Sequence, residues 1–328
     1  MEDLQGGTLA LEHRYDLARH ARDYAIVDVY EGTQHPFDRP VTVKVCEATH
    51  AFNAPEVYGR IKASILKSAA FYHPRIPTIV DFGDIDSNLA FWVTQRTESG
   101  KTLTDYLEHH GTLAPEEAVE IVRRIGEVVS AAHDADLTHG GLAPRWIVVD
   151  DGGVVVDHFG IGPTMPEIRQ LDGVILTQDL LWALPPEQFS DEDAKHAVTG
   201  DVWALGALLY WMVSGVHPYL DDPTDTSDAI IKLTNRSEAP KLSELGFPDD
   251  LSEAVGKALS VDPGDRFGSV RSLLRALPTK PESEAEAPAE PVAEIEPEDE
   301  FELRGAPRQG GVGTALAVTL LLLVLSNL

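Results

Sequence analysis

The chain has a single cysteine, Cys46, among its 328 residues, which excludes an internal disulfide and a zinc site built from several cysteines. Basic residues are scarce as well: 26 Lys and Arg stand against 54 Asp and Glu, a formal net charge of −28. Phosphate backbones need clustered Lys and Arg, so no nucleic-acid partner is expected, and docking of the acidic body on an anionic lipid surface is disfavoured too. The opening residues, MEDLQGGTLALEH, contain no basic start and no apolar run, so no signal peptide is expected. Internal repeats are lacking. Apolar residues are plentiful, and a 43% hydrophobic share suffices for a sizeable core.

Charge vanishes at the C-terminus. From Gly310 to Leu328 no residue is charged, and Val312–Leu325 is almost wholly apolar. Nineteen helical residues reach about 28 Å against roughly 30 Å of hydrocarbon, so residues 310–328 are expected to form a transmembrane helix. Arg304 and Arg308 on its N-terminal side favour a cytoplasmic body anchored to the inner membrane. Before it, residues 279–309 are rich in Pro, Ala and Glu, with ten acidic residues from Glu282 to Glu302. Such a stretch cannot bury enough apolar surface to fold and reads as a disordered, self-repelling tether.

Residues 1–14 are expected to be loose, and the body to occupy 15–278. Two β-rich segments, Tyr24–Tyr30 and Val41–Val45, flank a loop holding His35-Pro36-Phe37. Ala54–Phe71 has helical spacing, Leu89–Gln95 reads as a buried strand, and Pro115–His133 as an amphipathic helix with acidic residues in its first turn. Further on, Ile147–Val149 and Val154–Val156 are β-branched runs joined by Asp150-Asp151-Gly152-Gly153, which predicts a hairpin.

That hairpin is flanked by His139-Gly140-Gly141-Leu142-Ala143-Pro144-Arg145-Trp146 and by Asp157-His158-Phe159-Gly160. The arrangement resembles the catalytic centre of the protein-kinase family, specifically its bacterial Ser/Thr members, where a His-Arg-Asp-Leu-Lys-Pro-x-Asn loop and an Asp-Phe-Gly turn border such a hairpin. Val29-Tyr30 and Lys44, His73-Pro74-Arg75-Ile76, Pro185-Pro186-Glu187-Gln188, Asp201-Val202-Trp203-Ala204-Leu205-Gly206 and Asp262-Pro263-Gly264-Asp265-Arg266 fall in the family's order. The resemblance implies an α+β, two-lobed fold with a small β-rich lobe and a large helical one. It also implies structural roles for His139, Phe159 and Gly160, a backbone-orienting role for Asp201, and a buried Glu187–Arg266 ion pair.

The reactive side chains of the pattern are replaced. Gly141 stands at the catalytic Asp, Ala143 at the following Lys, Trp146 at the metal-binding Asn and His158 at the Asp of Asp-Phe-Gly. Arg22, Tyr24 and Val27 fall on the three glycines of the phosphate loop, and Ser64 falls on the Glu that pairs with the strand lysine. Lys44 therefore lacks its expected partner, and Asp157, one residue before His158, is expected to point to the opposite face of an extended strand. Nucleotide contact, if retained, rests on Lys44, Thr94 at the gatekeeper position, and Gln95 to Thr97 in the hinge. No cofactor is required and no metal is expected; any ATP binding is expected to be weak. His133 and His139 read as structural, and Trp146 as filler of the vacated metal pocket. The reading is a membrane-tethered pseudokinase that engages a protein partner, an active kinase or its substrate. Its alternatives are an atypical slow kinase and a metal-independent ATP sensor.

Overall fold

The computed structural model describes residues 11, 13–24, 27–47, 55–84, 89–96, 100–150, 152–159, 184–190, 198–219 and 238–279. By its contacts the chain divides into Met1–Lys280 and Pro281–Leu328. The expected tether and membrane helix lie outside the described residues. Among the described residues no helix is long and apolar enough to cross a membrane.

Alternation builds the small lobe. Strands β1 (Tyr15–Tyr24), β2 (Val27–Gln34), β3 (Arg39–Glu47), β4 (Ile79–Asp84) and β5 (Leu89–Gln95) form one antiparallel sheet in the order β1-β2-β3-β5-β4. Val41, Val43 and Val45 of β3 and Phe91 and Val93 of β5 pack on one face with Leu11 and Tyr15. Side chains alternate along a strand, so Thr42 and Lys44, with their register partners Thr94 and Trp92, occupy the other face. Helix α1 (Pro55–Ala69) lies between β3 and β4 in sequence.

Two expectations change here. Tyr24–Tyr30 is not one strand, because Tyr24 pairs with Val27 and the chain reverses between them. The strand that this adds, YDLARHARDY, is too polar to announce itself by hydrophobic period. Leu11 and Arg14 are not loose: Leu11 is buried in the small-lobe core and Arg14 pairs with Asp81.

The large lobe begins with the two-residue strand β6 (Lys101–Thr102) and helix α2 (Leu103–His110), whose first turn is capped by the Thr102 hydroxyl accepting from the Asp105 amide at 3.1 Å. Helix α3 (Pro115–Asp134) buries its apolar stripe against α5 (Val198–Ser214) and α7 (Val270–Ala276). Helix α6 (Asp249–Ala258) packs on α5 too. Close approach of α7 to α3 depends on Gly126, where an added Cβ would lie 2.7 Å from Leu274. A short helix α4 (Glu187–Ser190) precedes α5. Strands β7 (Ile147–Asp150) and β8 (Gly153–Val156) form the expected hairpin and join β6 in a second sheet. Val154 and Val156 reach the large-lobe core, which leaves Val155 facing the space between the lobes.

Candidate functional site

Between the lobes lies a cleft of about 710 Å³. Val29 and Thr42 line it from the small lobe, Val148 and Val155 from the hairpin, and Trp146, Asp157 and His158 from the loops beside the hairpin. The side chain of Lys44 comes from β3 on the same face as Thr42 and is fully buried.

Lys44 finds its partner in the other lobe rather than on α1. Its Nζ donates to Asp157 Oδ1 at 2.7 Å, across 113 residues of chain and from one lobe to the other. The expected orientation of Asp157 was wrong for a simple reason: alternation places it with Val155, and the Val155 face is the one that lines the cleft. Burial alone would raise the Asp157 carboxyl, but the Lys44 ammonium and, after it, the His158 side chain hold it well below the usual carboxylate range. Burial pulls Lys44 below the ordinary lysine value, and Asp157 opposes that pull.

After Asp157 the chain turns sharply. His158 has φ +69°, the left-handed region, and its amide donates back to Asp157 Oδ1 at 2.6 Å. The turn lays the His158 imidazole against the Trp146 indole, with ring centroids 3.3 Å apart and planes 20° from parallel. Both side chains are buried. Burial, helped by the nearby Lys44 charge, pushes His158 down to about 3, so the stacked ring is neutral at pH 7.

The loop that carries Gly141, Ala143 and Trp146 is held through its main chain. Asp201, buried on α5, accepts from the His139 amide at 2.9 Å and the Gly140 amide at 2.8 Å, and His133 Nε2 sits 2.7 Å from its Oδ2. Burial works against the Asp201 charge, yet the bond to His133 and the backbone amides keep its carboxyl below the ordinary value. His139 Nε2 donates to the Asp157 carbonyl at 2.8 Å, and its ring meets Phe159 edge-on at 4.6 Å. Gly141 and Ala143 present no functional group. Deeper in the large lobe, Arg266 Nη1 and Nη2 donate to the two oxygens of Glu187 at 2.8 and 2.6 Å, a bidentate pair closed off from solvent on the arginine side.

Thr94 is buried behind the cleft and Gln95 is exposed at its rim. Thr97 and Gly160, and most of the stretch from Gly160 to Pro185, lie outside the described residues. Sequence reasoning missed the polar mouth of the cleft, made by Glu31, Asp105, Glu108, Arg96 and Arg145. These residues are scattered over four elements, and no local pattern joins them. Among the described residues no group of three or more His, Cys, Asp or Glu converges to hold a metal ion.

Residues 25–276 match the sequence model of the protein kinase domain family. Serine/threonine-protein kinase PknE of Mycobacterium tuberculosis is 31% identical over 266 residues, 80% of this chain and 45% of that protein. PrkC of Bacillus subtilis is 25% identical over 270 residues, 81% of this chain and 40% of that protein. The chain thus spans less than half the length of these curated relatives. The crystal structure of the M. tuberculosis PknI kinase domain shares the fold, with a TM-score of 0.61 at 23% identity, covering 80% of this chain and 94% of that one.

Proposed function

Because this chain belongs to the protein kinase domain family, with bacterial serine/threonine kinases among its relatives, we propose that it keeps the family's frame as a binding platform and has lost efficient phosphotransfer. The observation that carries this is the Trp146–His158 stack. Phosphoryl transfer needs metal ions to neutralise the phosphates, and magnesium takes hard oxygen ligands. An indole and a neutral imidazole packed face to face supply none, and the carboxylate beside them, Asp157, is engaged by Lys44, so the residues present do not fit that ion. Gly141 likewise leaves no carboxylate to take the proton of a substrate hydroxyl. Losing a general base costs about 10²–10⁴ in rate, and losing metal stabilisation costs several kcal/mol more. A combined factor of about 10⁶ would bring a turnover of roughly 10 per second to about 10⁻⁵.

A protein that binds without catalysis acts through what it holds. We assign it a protein partner, an active kinase or that kinase's substrate, kept near the inner membrane by residues 310–328 on the acidic tether 279–309. The test is incubation of the full chain with labelled ATP and magnesium or manganese, with and without a generic protein substrate. No label above background is expected; transfer that His158→Ala abolishes would overturn the proposal. A metal-independent nucleotide sensor is the second reading, and the open cleft between Val29, Thr42, Val148 and Val155 favours it.

A further inference from the structure

We propose that the Lys44–Asp157 bond is a latch that fixes the angle between the two lobes, so that the chain offers a partner one preset surface. The inference rests on the reading of the chain as a binding platform and adds how that platform keeps its shape.

The lobes are fastened first at the rear. Lys67, in the last turn of α1, donates from Nζ to the Asp136 carbonyl beyond the end of α3. Phe71 and Ile76 pack against the large-lobe core. The Arg75 guanidinium donates to the Gly152 carbonyl in the β7–β8 turn and lies 3.7 Å from Asp150, and the Arg75 carbonyl accepts from the Val156 amide at 2.9 Å. Residues 67–76 therefore move with the large lobe, although they join strands β3 and β4 of the small one. A single line of attachment is a hinge, about which the sheet can still turn.

Lys44 makes the second attachment, away from that line. It sits on β3, an interior strand, opposite Val29 of β2 and Trp92 of β5, so it cannot shift without the sheet. Asp157 is held as firmly from the other lobe. Its amide donates to the Trp146 carbonyl at 2.8 Å, its carbonyl accepts from His139 Nε2 at 2.8 Å, and its Oδ1 accepts from the His158 amide at 2.6 Å. The bond between them, 2.7 Å long, ends on a lysine side chain that is 1% exposed. A pair so shielded is stronger and less screened by salt than one on the surface. Two attachments apart from each other remove the rotation that either alone would allow, and both are made from the chain's own atoms.

The test is a spin-label distance between the lobes of the full chain. Cys46→Ala leaves only the thiols introduced by Phe37→Cys, exposed in the β2–β3 turn, and His109→Cys, exposed on α2. One narrow distance distribution is expected for the chain with its latch intact. Lys44→Met, which keeps the length of the side chain and drops its charge, should broaden the distribution and lengthen its mean by more than about 2 Å. Glu187→Gln, which breaks a buried pair inside the large lobe, should leave the distribution unmoved. If Lys44→Met does not fold, Asp157→Asn, which keeps an acceptor for the His158 amide, gives the same reading from the other end of the bond. A broad or two-peaked distribution with the latch intact, or one that loss of either partner leaves superimposable, would overturn the inference. Neither result bears on phosphotransfer, which the label assay alone reads, so failure of the latch and failure of the platform reading stay distinct.

Discussion

Replacing Asp157 with asparagine removes the counter-ion of a lysine that no water reaches. The Lys44 side chain is 1% exposed and that of Asp157 23%, at a separation of 2.7 Å. Breaking a buried pair by deleting one partner costs about 3–5 kcal/mol, and the partial exposure of Asp157 points to the lower end. For a domain of this size that is a fall in Tm of about 6–12 °C. The penalty belongs to the charged lysine, so it must depend on pH. A base with a lowered folded pKa destabilises the fold while protonated, and stability rises as pH climbs from the folded value towards the unfolded value of about 10.4. Asp157 opposes the lowering; without it the folded value drops further, and the variant begins to regain stability at a lower pH than the parent. Asp157's own titration does not intrude, because a depressed carboxyl contributes fully above about pH 4. Urea unfolding of the full chain and of Asp157→Asn between pH 6 and 10 should show a gap that shrinks towards the alkaline end. A gap under about 0.5 kcal/mol, or one constant over that range, would refute the account of the pair.

Burial holds His158, and likewise His217, a buried residue three positions beyond the end of α5, each at about 3. The unfolded chain takes up these protons near pH 6.5, so each histidine's contribution is full above that value and is lost as pH falls towards 3, about 2 kcal/mol by pH 5. His217→Gln should cut the stability difference between pH 7 and pH 5 by that amount; an unchanged difference would count against it. Glu187→Gln strips the charge from the bidentate partner of Arg266 and should cost about 3–5 kcal/mol, and a scanning-calorimetry shift below about 1 °C would sink that estimate. Trp146→Ala should cost about 3–5 kcal/mol in urea unfolding through the cavity left on His158, with no phosphotransfer gained. Residues 304–328 fused to a soluble reporter should carry it into the membrane fraction, and a reporter that stays in the supernatant would remove the proposed anchor.

Much of the frame was legible because its signals are local. The β7–β8 hairpin is written in two valine-rich runs around Asp/Gly turn residues, and α3 in a long apolar stripe that starts at Pro115. Strand β1 was not legible: it lies at the sheet edge, and only its burial of Tyr15 and its pairing with β2 define it. In the site, Gly141, Ala143, Trp146 and His158 could be named from order alone, since each is one position in a local pattern. The bond between Lys44 and Asp157 could not. It depends on which face of β8 looks into the cleft, and that is settled by Val154 and Val156 packing into the large lobe, a fact of tertiary structure.

Asp201 grips the loop of His139 and Gly140 by its spine, through amide hydrogens that every residue but proline carries. The loop's path is therefore indifferent to the cargo it displays, much as a tool holder is indifferent to the bit. Trp146 and the glycine at 141 ride on a track laid by a carboxylate on another helix. A version with Gly141→Asp, Ala143→Lys, Trp146→Asn and His158→Asp would not need to rethread the chain, which makes this fold a chassis on which those four side chains can be set singly and their separate worth weighed.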